Sequence, residues 1–89
     1  MPSLKSPKMR TKIRIKWMRT PANGNWGMAI PEKKTIYLEE RMDDRTMMDV
    51  AMHEVAHVMF PMLDEEAVNE FGIVAADVLT RIGFKREHE

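Results

Sequence analysis

From Lys12 the chain alternates between apolar and charged residues. Ile13, Ile15 and Trp17 fall on one side, and Lys12, Arg14 and Lys16 on the other. A period of two with β-branched and aromatic residues predicts a half-buried strand. A dense turn cluster follows, Thr20-Pro21-Ala22-Asn23-Gly24-Asn25, with the Asn-Gly pair as its strongest turn signal. Trp26 to Ile30 is a short apolar run, closed by Pro31-Glu32-Lys33-Lys34, and Thr35-Ile36-Tyr37-Leu38-Glu39 reads as another strand. The spacing predicts a short antiparallel sheet of two or three strands.

The period then changes. Met47, Val50, Ala51, Val55, Ala56, Val58 and Met59 recur at three- and four-residue steps, the stripe of an amphipathic helix. Asp43, Asp44 and Thr46 are N-cap residues by type, and Thr46-x-x-Asp49 resembles a capping box with a shorter acid. Pro61 ends this helix near Phe60. Asp64 caps a second helix, whose first-turn acids Glu65 and Glu66 complement the helix dipole. Its apolar positions, Ala67, Phe71, Val74, Ala75, Val78 and Ile82, are expected in the core, with Gly83 at C′ and Phe84 folding back. The predicted fold class is α+β: a short antiparallel sheet of two or three strands followed by a two-helix hairpin.

Composition sets the scale. Eighty-nine residues make one domain that buries roughly 60% of its unfolded surface. Residues 12–84 are read as that domain, with 1–11 as a basic arm and 85–89 as a tail. There is no Cys, which excludes disulfides and thiolate metal ligands. No apolar run reaches the length of a membrane span, and nothing resembles a secretory signal. The reading is cytoplasmic. Fourteen basic residues balance fourteen acidic ones. The balance hides a split: residues 1–34 hold nine basic and one acidic residue, and residues 35–89 hold five basic and thirteen acidic. Attraction between the two halves is the default expectation, and an acidic partner for the basic half the alternative.

The chemistry lies in the first helix, at His53-Glu54-Val55-Ala56-His57. Positions i and i+4 share a helix face, roughly 5–6 Å apart at Cβ, so both imidazoles can reach one Zn²⁺ at about 2.0–2.1 Å. Glu54 is offset by about 100°, placing it to activate a metal-bound water. A zinc site of this kind needs a third protein ligand. The longer pattern with a third His is excluded, because Phe60 and Leu63 stand where Gly and His are required. His88 lies in the tail. A carboxylate is therefore expected. Glu66 is preferred, with Glu65 as the alternate, because both begin the second helix where the first one ends. Glu70 is the expected acceptor for a ring N–H of a ligating His.

These residues resemble a family. The His53–His57 pair, the Pro-containing turn and Leu63-Asp64-Glu65-Glu66-Ala67-Val68 look like a gluzincin-type zinc metallopeptidase. The Glu66-Ala67 pair is similar to that clan's downstream ligand position. Trp26-Gly27-Met28-Ala29-Ile30 and Lys34-Thr35-Ile36-Tyr37-Leu38 resemble the strand pair before the active-site helix in minimal metallopeptidases of the ImmA/IrrE and SprT-like kind. The whole resembles the small metallopeptidase-like proteins of phages and prophages. The resemblance covers about residues 12–84 and implies hydrolysis of a peptide or protein substrate, with Glu54 as general base. The interval from His57 to Glu66 is shorter than in full-size gluzincins, and no second subdomain is present to deepen a cleft.

Three further expectations belong here. Thr35–Glu39 or Trp26–Ile30 could pair with an extended substrate by β-addition, and Tyr37 could stabilise an oxyanion. The site could instead hold zinc without turnover, as a staple for a small core. A nucleic-acid role for the basic N-terminus, with Trp17 and Trp26 stacking on bases, is the weakest reading, because the strand's cations also fit a solvated face. Met47, Met48, Met52, Met59 and Met62 are read as packing.

Overall fold

The computed structural model describes residues 11–19 and 24–85. Most of the arm, residues 20–23 of the turn cluster, and His88 in the tail lie outside them. The order is β1 (Arg14–Met18), β2 (Gly27–Ile30), β3 (Thr35–Glu39), α1 (Asp44–Met59) and α2 (Glu65–Arg81). A short 3₁₀ turn, Pro31–Lys33, joins β2 to β3. The class is α+β.

The sheet differs from the expected antiparallel meander. It is mixed, in the order β1-β3-β2. β2 and β3 form the antiparallel hairpin, with Met28 opposite Tyr37 and Ala29 opposite Ile36. β1 instead runs parallel to β3, with Ile15 beside Ile36 and Trp17 beside Leu38. Eight residues separate β1 from β2 (19 to 26). A connection of that length is not tied to a tight hairpin and leaves room for β3 between the two strands.

Ile36 and Leu38 face α1 and, with Met42 and Met47, form the buried cluster; Ile13, Ala29, Val50, Ala51, Val55 and Val58 pack against it. α1 packs on β2 and β3. Ile15 and Trp17 share the α1 side of the sheet but lie at its margin and are about half exposed, so the half-buried strand is less buried than its alternation predicts.

Both helices start on an aspartate. Asp43 Oδ1 accepts from the Thr46 backbone N–H, and Asp64 Oδ1 from that of Ala67, each at 2.8 Å. Asp43 rather than Thr46 is thus the cap of α1. Phe60 is the C-cap before Pro61. At the end of α2, Gly83 takes a φ of +94°. Its N–H reaches the Thr80 carbonyl and that of Phe84 reaches Leu79, the paired bonds of a Schellman ending.

One expectation about α2 is overturned. Its buried positions are Val68, Gly72 and Ala76, in steps of four, and this line faces α1. Phe71, Val74, Val78 and Ile82 are exposed, at 42, 52, 40 and 64%. The predicted stripe exists, but it lies about 120° around the helix from the side that packs. α1 lies between the sheet and α2, so α2 needs only a narrow line of small side chains to seat itself.

Among the described residues, Arg19–Glu40 bridges the basic and acidic halves, while Arg41–Glu39, Arg45–Asp77 and Arg81–Asp77 lie within the acidic half. Lys12, Arg14, Lys16, Lys33 and Lys34 line a hollow of about 660 Å³ on the sheet face away from α1, with Tyr37.

Candidate metal centre

Helix geometry stacks His53 and His57 on one face of α1. Their Nε2 atoms are 3.1 Å apart, and the rings meet edge to face at 4.8 Å between centroids. Glu65 approaches from α2. Its Oε1 is 3.0 Å from His53 Nε2 and its Oε2 is 3.2 Å from His57 Nε2. The three donor groups all lie within 4.8 Å of one another, so two imidazole nitrogens and one carboxylate converge on a single point. That donor set suits a tetrahedral ion with one position left open.

Glu65 fills the place expected for Glu66. Asp64 caps α2, so Glu65 is its first residue, three before Val68 and seven before Gly72, on the helix face that meets α1. Glu66 is rotated about 100° away. Glu66 and Glu70 are exposed and stand outside the cluster, and Glu70 is in none of the contacts made by the two imidazoles. The mis-phased core of α2 explains the difference, because a helix turned to bury Val68 brings Glu65 round to the histidines.

Glu54 lies beneath the site with 8% of its surface exposed. Burial pushes its carboxyl above the ordinary range, and the imidazoles of His53 and His57 partly offset this. A buried carboxyl beside two imidazoles is placed to take and return a proton.

Two glycines fit the site together, and neither carries a role in the sequence reading. A Cβ on Gly27 would meet Val50 Cγ1 at 2.5 Å and Glu54 Oε2 at 2.9 Å. A Cβ on Gly72 would meet Asp49 Oδ1 at 2.7 Å, the Asp49 carbonyl at 2.9 Å and His53 Cβ at 3.3 Å. The first lets β2 lie against α1 beside Glu54; the second lets α2 close on α1 beside His53. A glycine interrupting an otherwise regular strand or helix is the available sequence signal for such close approach.

A cleft of about 190 Å³ opens beside the centre, lined by Trp26, Gly27, Asp49, Val50, His53 and Glu54, with Gly24 and Asn25 at its end. β2 is an edge strand. The Glu39 N–H bonds to the Trp26 carbonyl, so by alternation the backbone groups of Gly27 and Ala29 point to the open edge. Thr35–Glu39 is paired on both sides and has no free edge to offer. Tyr37 lies on the sheet face away from α1, among the basic residues, and is not brought to the centre. Trp26 lines the metal-side cleft and Trp17 shares the α1 side, so neither joins the basic hollow as a stacking platform.

Comparison with protein-family models, with curated proteins and with solved structures gives no match for this chain. No described helix is long and apolar enough to cross a membrane.

Proposed function

We propose that the protein is a zinc-dependent peptidase whose centre is held by His53, His57 and Glu65. The observation that carries this is the convergence of two Nε2 atoms and a carboxylate from a second helix, beside a buried carboxylate and an open strand edge. Zinc bound there would polarise a scissile carbonyl and lower the pKa of a water towards 7. Glu54 takes a proton from the attacking water and returns it to the leaving amine. The edge of β2 aligns an extended substrate through the backbone of Gly27 and Ala29, along the cleft that ends at His53 and Glu54. Val50 and the glycine contact at position 27 keep the Glu54 carboxylate against the strand.

The test separates binding from turnover. Wild-type protein is expected to take up one zinc, measured by calorimetry and metal analysis. His53→Ala and Glu65→Ala are expected to weaken uptake by more than the roughly 10–100-fold lost with an outer partner of a ligand, whereas Glu66→Ala leaves it unchanged. Glu54→Gln keeps the metal and loses peptide cleavage. Equal affinity in wild type and Glu65→Ala contradicts the ligand set. The competing reading, zinc as a staple without turnover, is favoured by the placement of the donors across the α1–α2 seam; zinc uptake with no cleavage of any member of a peptide and protein panel selects it.

A further inference from the structure

Among the described residues, nothing covers the apolar stripe of α2. Phe71, Val74, Val78 and Ile82 are all at least 40% exposed, and they follow one another at steps of three, four and four residues along one side of α2. Single exposed apolar residues are ordinary, but a continuous row on one helix marks an interaction surface. Leu79 and Phe84 extend its C-terminal end into an apolar cleft of about 270 Å³ with Met48 and Met52 of α1.

We infer that this stripe is a self-association surface, on which a second copy of the chain docks its own α2 in the antiparallel sense. Charge order along the helix selects that occupant. Glu65, Glu66 and Glu70 stand at the N-terminal end, and Arg81 and Lys85 at the C-terminal end. A two-fold axis near Ala76 sets Val74 against Val78 of the second copy, Phe71 against Ile82, and Glu70 beside Arg81. Each copy thus presents acids to bases at both ends, and the helix dipoles oppose. A parallel pair would set acids on acids. An anionic lipid surface is a poorer match, because helices that lie on membranes carry Lys and Arg on their polar face, whereas the polar face of α2 carries Glu66, Glu70 and Asp77 with Arg81 as the helix's one cation.

The surface is separate from the metal centre. Glu65 reaches His53 and His57 on the α1-facing side, whereas the stripe lies about 120° around the helix from that packing line. Residues 71 to 82 span only about 17 Å, so the contact belongs at the small, concentration-dependent end of interfaces.

Sedimentation equilibrium on the full chain, from about 5 to 300 µM, tests this. The mass is expected to rise from 10.4 kDa towards twice that value. Val74→Asp/Val78→Asp is expected to stay monomeric throughout, with unchanged helical circular dichroism and unchanged zinc uptake. Glu70→Arg is expected to weaken association at least 10-fold, and Glu70→Arg/Arg81→Glu to restore it. A wild-type chain that stays monomeric to 300 µM overturns the inference. So does a dimer that survives Val74→Asp/Val78→Asp, or a monomer whose stripe binds vesicles of phosphatidylglycerol and phosphatidylcholine. The charge pair also decides orientation, because a parallel dimer gains nothing from the double exchange.

Discussion

α1 and α2 are close in length, sixteen and seventeen residues, and each is capped by an aspartate. They differ in what surrounds them. α1 is enclosed between the sheet and α2, and its hydrophobic stripe from Met47 to Val58 lies on its packed side, with Met59 exposed at its end. Among the described residues α2 packs mainly on α1, through Val68, Gly72 and Ala76, and leaves its larger apolar residues outside. The contrast shows that hydrophobic periodicity reports which residues want cover, while topology decides which of them receive it within one chain. The candidate metal centre, His53, His57 and Glu65, lies where the two helices meet, so its geometry depends on the narrow contact of α2 rather than on its broad stripe.

The largest effect is expected from filling that contact. Gly72→Leu places a branched side chain where Asp49 and His53 already stand within 3.3 Å. Overpacking against a backbone carbonyl costs about 3 kcal/mol. It is expected to separate α2 from α1, so thermal stability and zinc uptake fall together. Unchanged zinc uptake in this variant would break the link between helix contact and site.

Next come the two sides of α2 compared directly. Val68 is fully buried, and Val68→Ala is expected to cost about 2 kcal/mol through lost burial and a cavity. Val74→Ala, from the exposed stripe, is expected to stay within about 0.5 kcal/mol in the monomer. Urea unfolding at low micromolar concentration gives both values. Equal losses would mean that Val74 is buried in solution and that the two sides are not distinct.

Much of this was legible in the residues and some was not. The strand pair β2–β3, the limits of both helices, the Pro61 stop and the Gly83 ending follow from local chemistry, and the structure has them. The His53–His57 pair follows from i,i+4 spacing. The parallel place of β1 was not legible, because alternation fixes a strand's faces but not its neighbour. The third member of the candidate cluster was not legible either. Glu65 and Glu66 differ by one residue, and choosing between them requires the phase of α2 against α1. Phe71, Val74 and Val78 suggested one phase by size; Gly72, by permitting close approach, set another.

A smaller effect separates the caps. Asp64→Ala removes the bond to the Ala67 N–H and is expected to cost about 1 kcal/mol. It also loosens the turn that carries Glu65, so zinc affinity falls with it. Asp43→Ala frays the far end of α1, more than two turns before His53, and is expected to leave zinc affinity unchanged although stability drops. Calorimetric zinc titration of the two variants makes the comparison. Loss of affinity in Asp43→Ala would show that the site depends on the whole of α1.

The smallest effects expected are opposite pH slopes within α1 itself. At Asp43 the bond from the Thr46 N–H holds the carboxyl below its ordinary range. Its contribution is present above the unfolded pKa of about 4 and is lost as pH falls through the lowered folded value. Glu54 behaves in the opposite way in the metal-free protein. Burial raises its pKa, so folding binds a proton, and stability declines as pH rises from the unfolded value of about 4.3 through the raised folded one. Asp43→Asn keeps an effective cap and is expected to flatten the acid limb of the stability profile. Glu54→Gln is expected to remove the decline above it and to stabilise the metal-free chain at pH 7. Thermal melts in chelator between pH 2.5 and 7.5 read both slopes. A Glu54→Gln profile that still declines over the same range would place that titration elsewhere, and would mean that enclosing α1 on two sides leaves Glu54 as well solvated as an exposed carboxylate.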